Sequence, residues 1–148
     1  MASRNIVQRI FDAWGKSHFT QKRSGTWRRK LGEVEQSVNL QKSQYSLLYY
    51  VNVELAFPAE AEGAYIKGRA GSLLSSEDAE RLATLLDVDG HPMRDENREA
   101  QLAALFDRLV AVLDELSSIG AVAAKDADGW FKAMGVTGPA RVSIDRFQ

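Results

Sequence analysis

The chain has 148 residues, 45% hydrophobic and 26% charged, with a formal net charge of -1. That size and composition fit one folded domain around one core and exclude wholesale disorder. It has no cysteine, which excludes a disulfide framework, a thiolate metal site and a cysteine nucleophile, and suits a reducing cytosol.

The opening MASRNIVQRIFDAWGK is interrupted by Arg4, Gln8, Arg9 and Asp12, so it does not read as a secretory signal. No segment approaches the roughly 20 apolar residues that cross a bilayer. A cytoplasmic protein without a membrane association is the expectation. Ser3 is placed to cap a first helix running to about Lys16 and ended by Gly15 and the polar run beyond. Ile6, Val7, Ile10, Phe11 and Trp14 make its apolar stripe.

A first strand is expected at Thr26 to Lys30, with Trp27 and Leu31 on one side, and a tight turn at Leu31-Gly32. The second strand spans Val34 to Lys42. There Val34, Val38 and Leu40 alternate with Glu35, Ser37, Asn39 and Gln41, the period-2 pattern of a sheet with one wet face. The third, Leu47 to Phe57, sets Leu47, Tyr49, Val51, Val53, Leu55 and Phe57 against Leu48, Tyr50, Asn52, Glu54 and Ala56; a helix would scatter these residues. Ala64 to Ala70 forms a fourth, with Ile66 inward. Short links between the strands imply a meander.

After residue 74 the period changes. Ser75 or Ser76 caps a helix to about Leu86. Asp87-Val88-Asp89-Gly90-His91-Pro92 is a turn cluster. A long helix follows from about Glu96 to Ser117, carrying Leu102, Leu105, Phe106, Leu109, Val112, Leu113 and Leu116, and Gly120 breaks it. Asp126 is expected to cap a last short helix bearing Trp130, Phe131 and Met134. Residues 136–148 end in a short strand or a loose tail. The fold class is therefore α+β: one domain over residues 1–148, with an N-terminal helix, a four-stranded antiparallel meander at about 26–70, and about three helices at about 75–135 packed on one sheet face.

No catalytic or cofactor motif stands out. Asp87-Val88-Asp89-Gly90 lacks the ligand series of a calcium loop and reads as a plain turn. His18 and His91 form no helical metal pair. Gly68-Arg69-Ala70-Gly71-Ser72 lacks the Gly-Lys-Ser/Thr ending of a phosphate loop, and no Gly-x-Ser-x-Gly elbow occurs. No catalytic residue, metal or cofactor is assigned.

Charge is uneven. Residues 1–74 hold 11 Lys/Arg against 6 Asp/Glu, and residues 75–148 hold 8 against 14. Lys16 to Lys30 holds six Lys/Arg and no acid, a run that attracts phosphate or an acidic protein. The polar sheet face is the strongest constellation: Arg28, Lys30, Asn39, Gln41, Tyr50, Asn52, Glu54, Tyr65, Lys67 and Arg69. Tyrosine gives contact area at low entropy cost and arginine suits carboxylate or phosphate. The plainer reading is a solvated face with cross-strand pairs, Glu35 with Arg28 or Lys30 and Glu54 with Lys67 or Arg69, at about 0.2–1 kcal/mol each. Asn39, Gln41 and Asn52 argue for more than that, because Asn is depleted in strands.

Val38-Asn39-Leu40-Gln41-Lys42-Ser43, the aromatic strand ending Tyr50-Val51-Asn52-Val53, and Gly68-Arg69 resemble a bacterial family of domains of unknown function, number 4304 in that series, over most of residues 5–117. The resemblance implies a small cytosolic α+β domain without an assigned activity or cofactor. Asn39, Gln41, Lys42, Asn52 and Arg69 match its motif. Small domains of this kind often lie beside toxin genes as immunity proteins, a class-level association.

Three functional expectations follow. The first is a non-catalytic binding protein, immunity-like or regulatory, whose polar sheet face binds another protein such as a toxin. The site residues are Arg28, Asn39, Gln41, Lys42, Tyr50, Asn52, Lys67 and Arg69. The alternative is a nucleic-acid or phosphorylated-ligand binder using Lys16 to Lys30 with Lys42, Lys67 and Arg69, disfavoured by the near-neutral net charge. The third is an enzyme that assembles Glu54, His18 and Arg69. Oligomeric state is left open; an exposed edge at the fourth strand offers a route to a homodimer.

Overall fold

The computed structural model describes residues 6–148, so the cap expected of Ser3 lies outside the described residues. Helix α1 (Ile6–His18) turns Ile6, Val7, Ile10, Phe11 and Trp14 inward, the stripe its spacing dictates. It runs through Gly15 instead of stopping there. The Trp27 indole lies against Gly15, where a Cβ would sit 2.5 Å from the ring, so the glycine is there for close packing. Phe11, Trp14, Phe19 and Phe106 form an aromatic cluster, with Trp14 stacked on Phe106 at 5.0 Å between centroids.

The sheet has six strands, not four: β1 (Gln21–Arg23), β2 (Thr26–Leu31), β3 (Val34–Lys42), β4 (Tyr49–Ala56), β5 (Tyr65–Arg69) and β6 (Gly135–Val136). Their spatial order is the chain order, and every pair is antiparallel. The meander expected from the short links is therefore present, with one extra strand at each end. β1 has no apolar residue. It is held by its ladder to β2 across Ser24-Gly25, both at positive φ, as a tight hairpin turn requires. β6 has two residues and pairs with Ile66 and Lys67, so β5, the expected edge, is an inner strand.

Alternation sorts the residues by face. Val34, Gln36, Val38, Tyr49, Val51, Val53, Leu55 and Ile66 are buried, and the helices cover them. A single 3-10 turn (Ala70–Leu73) leads to α2 (Ser76–Leu86), capped by the Ser75 hydroxyl accepting from the Asp78 N–H. Helix α3 (Asp95–Asp114) buries Leu102, Leu105, Phe106, Leu109, Val110 and Leu113. Buried apolar side chains from all layers form one cluster; each buried Leu, Val or Phe contributes about 1.5–3 kcal/mol. Among the described residues no helix is long and apolar enough to cross a membrane.

The C-terminal quarter departs from expectation. Gly120 does not break a helix; it lies in the first turn of α4 (Ile119–Ala127), which Ser118 caps by accepting from the Ala121 N–H. Trp130, Phe131 and Met134 lie in turns, not a helix, and Phe131 and Met134 are buried by tertiary contact alone. Asp126 is no cap. Its carboxylate accepts from Arg141 at 2.7 and 3.1 Å and from Gln148 at 2.8 Å. The tail holds α5 (Gly138–Asp145), with Thr137 as N-cap and Pro139 in its first turn, a favoured start for a helix.

The β2–β3 hairpin is bolted to the α3–α4 junction. At its tip Gly32 has φ 58°, and a Cβ there would lie 2.3 Å from the Ser117 carbonyl oxygen. That carbonyl accepts from the Glu33 N–H at 2.9 Å, and the Glu33 carboxylate accepts from the Ile119 N–H at 3.2 Å. Further down β3, the Gln36 side chain is fully buried. It donates to the Leu113 carbonyl at 2.6 Å and the Leu116 carbonyl at 3.2 Å, and accepts from Arg29 Nε at 2.9 Å. The Leu113 carbonyl also accepts from the Leu116 N–H at 3.0 Å, whereas the Leu116 carbonyl lies past the helix end, where no helical N–H reaches it.

Candidate functional site

The outer sheet face is the candidate site, because pairing and the period of two place its residues in rows. One row crosses the sheet as Arg28, Ser37, Glu54, Lys67 and Gly135, and the next as Thr26, Asn39, Asn52 and Arg69. Gln41 lies opposite Tyr50 in a third. Neighbouring strands stand about 4.8 Å apart, so side chains within a row and between adjacent rows touch.

Asn39, Gln41, Asn52 and Arg69 form one hydrogen-bonded network. Asn52 Nδ2 donates to Asn39 Oδ1 at 2.9 Å and to Gln41 Oε1 at 3.1 Å. Arg69 Nη1 donates to Asn52 Oδ1 at 2.7 Å and to Gln41 Oε1 at 3.0 Å. The guanidinium also lies 4.1 Å from the Tyr50 ring centroid, a cation–π contact that fixes its plane. A concavity of about 620 Å³ opens beside the network, and every residue lining it belongs to a strand. Short side chains (Thr26, Ser37, Asn39, Asn52) make its floor, and Arg28 and Lys67 stand at its flanks.

Five of the eight expected site residues meet in this way: Asn39, Gln41, Tyr50, Asn52 and Arg69. Arg28 and Lys67 flank them. Lys42 does not join; one residue beyond Gln41, it lies on the opposite side of the strand and bonds the Ser43 carbonyl at 3.0 Å. The proposed cross-strand ion pairs do not form either. Lys30 is opposite Glu35 and Lys67 opposite Glu54 in register, yet no bridge within 4 Å joins them, while Lys22–Asp12 and Arg29–Asp114 are joined at 3.1 and 2.8 Å.

The basic run does not form one patch. Arg29 points inward to Gln36 and Asp114 and lies 5.2 Å from the Phe19 ring. Lys22 pairs with Asp12 and lies over Trp27. His18 sits at the end of α1 against Trp14, across the sheet from Glu54 and Arg69, so those three do not converge. The Asp87–Pro92 segment is a turn: Asp87 accepts from the Gly90 N–H at 3.0 Å and its carboxylate meets His91 Nδ1 at 3.3 Å.

A second concavity, of about 650 Å³, lies between the 43–48 loop and the start of α3 and reaches Arg98. Arg98 is buried; it donates to the Leu85 carbonyl and, at 2.6 Å, to the His91 carbonyl. Burial lowers its pKa, against the pull of Asp95 and Asp87. The sequence reading overlooked it, although residue 98 continues the Leu102, Leu105, Leu109 stripe.

Geometrically, then, this is an α+β protein with a rigid polar platform on an uncovered sheet face. Residues 17–74 match the model of a family described as a domain of unknown function (DUF4304), and over that segment the chain resembles that family. The match takes in β1 to β5 and so the whole network. It is shorter than the 5–117 expected from the motif and leaves out the helices that cover the sheet. No curated protein and no solved structure matches the chain.

Proposed function

We propose that the chain is a non-catalytic binding protein that recognises another protein through the outer sheet face. The observation that carries this reading is the Asn39–Gln41–Asn52–Arg69 network over Tyr50. Its side chains are ordered before any partner arrives, so little rotamer entropy is lost on binding. Arg and Tyr are also the residue types that anchor interfaces. The absence of cysteine suits a partner met in the cytoplasm. In the immunity-like version the partner is a toxin, held tightly and alone.

Affinity purification with mass spectrometry, run in parallel on wild type and Ser37→Trp, tests it. The substitution fills the floor of the concavity from a solvent-facing strand position, where Trp is tolerated. One dominant protein retained by wild type and lost by Ser37→Trp, at unchanged thermal stability, is the expected result. Equal capture by both sinks the reading.

A further inference from the structure

The network has a polarity that names the chemistry of its occupant. All three amide oxygens of Asn39, Gln41 and Asn52 accept bonds from within the network. Asn39 Nδ2, Gln41 Nε2, and Arg69 Nε and Nη2 bond no described residue. Those last two nitrogens form the guanidinium edge that takes a carboxylate side-on. Every amide oxygen thus already accepts inside the cluster, Gln41 Oε1 twice, and the groups with no bond among the described residues are donors. Around them the outer face carries Arg23, Arg28, Lys30, Lys67 and Arg69 against only Glu35 and Glu54.

We infer that this face takes an acidic segment of a partner protein, whose carboxylates accept from Arg69 and the amides and lie between Arg28 and Lys67. The inference rests on the protein-binding reading above and adds the chemistry of the partner. An ionised carboxylate is acceptor-only, which complements a surface of spare donors. Phosphate shares that property, but a single-stranded nucleic acid also stacks its bases on aromatic faces. Here the Tyr50 face is covered by Arg69 at 4.1 Å and Tyr65 lies beneath Lys67 at 5.5 Å. Glu54 sits between the two flanking cations, so the carboxylates are taken on either side of it, by Arg28 and by Lys67.

The test is fluorescence anisotropy at low salt with a labelled oligoglutamate peptide and an oligothymidylate of equal charge. The full chain is used as wild type, as Arg28→Gln/Lys67→Gln, and with Arg146→Gln as a control cation away from the sheet. Peptide binding that the double substitution weakens by about tenfold, about 1.4 kcal/mol, and the control leaves unchanged supports the inference. Absent peptide binding, equal loss in the control, or tighter binding of the oligothymidylate overturns it. The partner capture described above separates the two claims. Capture lost in Ser37→Trp but intact in Arg28→Gln/Lys67→Gln overturns the acidic segment alone, whereas capture intact in both overturns protein recognition by this face.

Discussion

Two arginine–amide clusters sit on opposite sides of the same sheet. On the inner side Arg29 and Gln36 reach Asp114 and the carbonyls of Leu113 and Leu116. On the outer side Arg69 meets Asn39, Gln41 and Asn52. The residue types are nearly the same. The inner cluster directs its bonds to another element of the fold, so it fastens a helix to the sheet. The outer cluster bonds only to itself and keeps spare donors. What an arginine and an amide do together depends on what the strand faces, and strand parity decides that.

The sharpest way to break this contrast is to disturb the contacts that fasten the sheet to the helices and compare the cost with that of disturbing the outer cluster. Gln36→Leu keeps the volume but strips the Leu116 carbonyl and Arg29 Nε of their partners and leaves the Leu113 carbonyl to the Leu116 N–H, and should cost about 2–4 kcal/mol in chemical denaturation. A cost below 1 kcal/mol would mean the inner cluster is no fastening. Gly32→Ala should cost about 2–3 kcal/mol, from positive φ and the approach to the Ser117 carbonyl, and unfold at correspondingly lower temperature.

Asp126→Asn is the intermediate case. Arg141 hydrogen bonds, with Gln148 adding, hold the Asp126 carboxyl below the ordinary carboxylate range. A depressed folded pKa stabilises above the unfolded value of about 3.9 and loses that contribution as pH falls through the folded value. The variant should therefore be about 1 kcal/mol less stable at pH 7, discounted for the exposure of Arg141, and the gap should close in acid. Thermal melts from pH 7 downward read this directly; a gap that widens in acid refutes the assignment. Smallest in stability is Asn52→Ala, about 0.5–1 kcal/mol, with partner capture lost nonetheless. If Asn52→Ala destabilises as much as Gln36→Leu, the two faces are equivalent and the outer one has no claim to a separate role.

Much of this was legible, and the reasons are specific. In β4 every second residue is apolar, and in β3 Val34, Val38 and Leu40 keep one parity, so Val38 and Asn39, or Val51 and Asn52, announce their faces. The same rule places Lys42 on the side away from Gln41, which the motif-based grouping ignored. It also places Gln36 among the inward residues, where a polar side chain gave no apolar signal. β1 and β6 could not be read, because Gln21-Lys22-Arg23 has no alternation and Gly135-Val136 is too short to show one; β1 is set by its hairpin to β2 and β6 by Ile66 and Lys67, distant in the chain. Trp130 and Phe131 read as a helix face because aromatic spacing does not distinguish a helix from consecutive turns. Face membership followed from period, whereas the bonds within a face required the register.

The fastening at Gln36 has a consequence for how the protein is made. The strands of the meander pair with their chain neighbours, so the sheet can assemble from segments as they leave the ribosome. The carbonyls that Gln36 needs lie 77 and 80 residues later. At about 5–20 residues per second of synthesis, a nascent sheet waits about 4 to 16 seconds with its apolar side and that amide still wet. Through that interval the growing chain is most in need of a chaperone, and the arrival of α3 ends it.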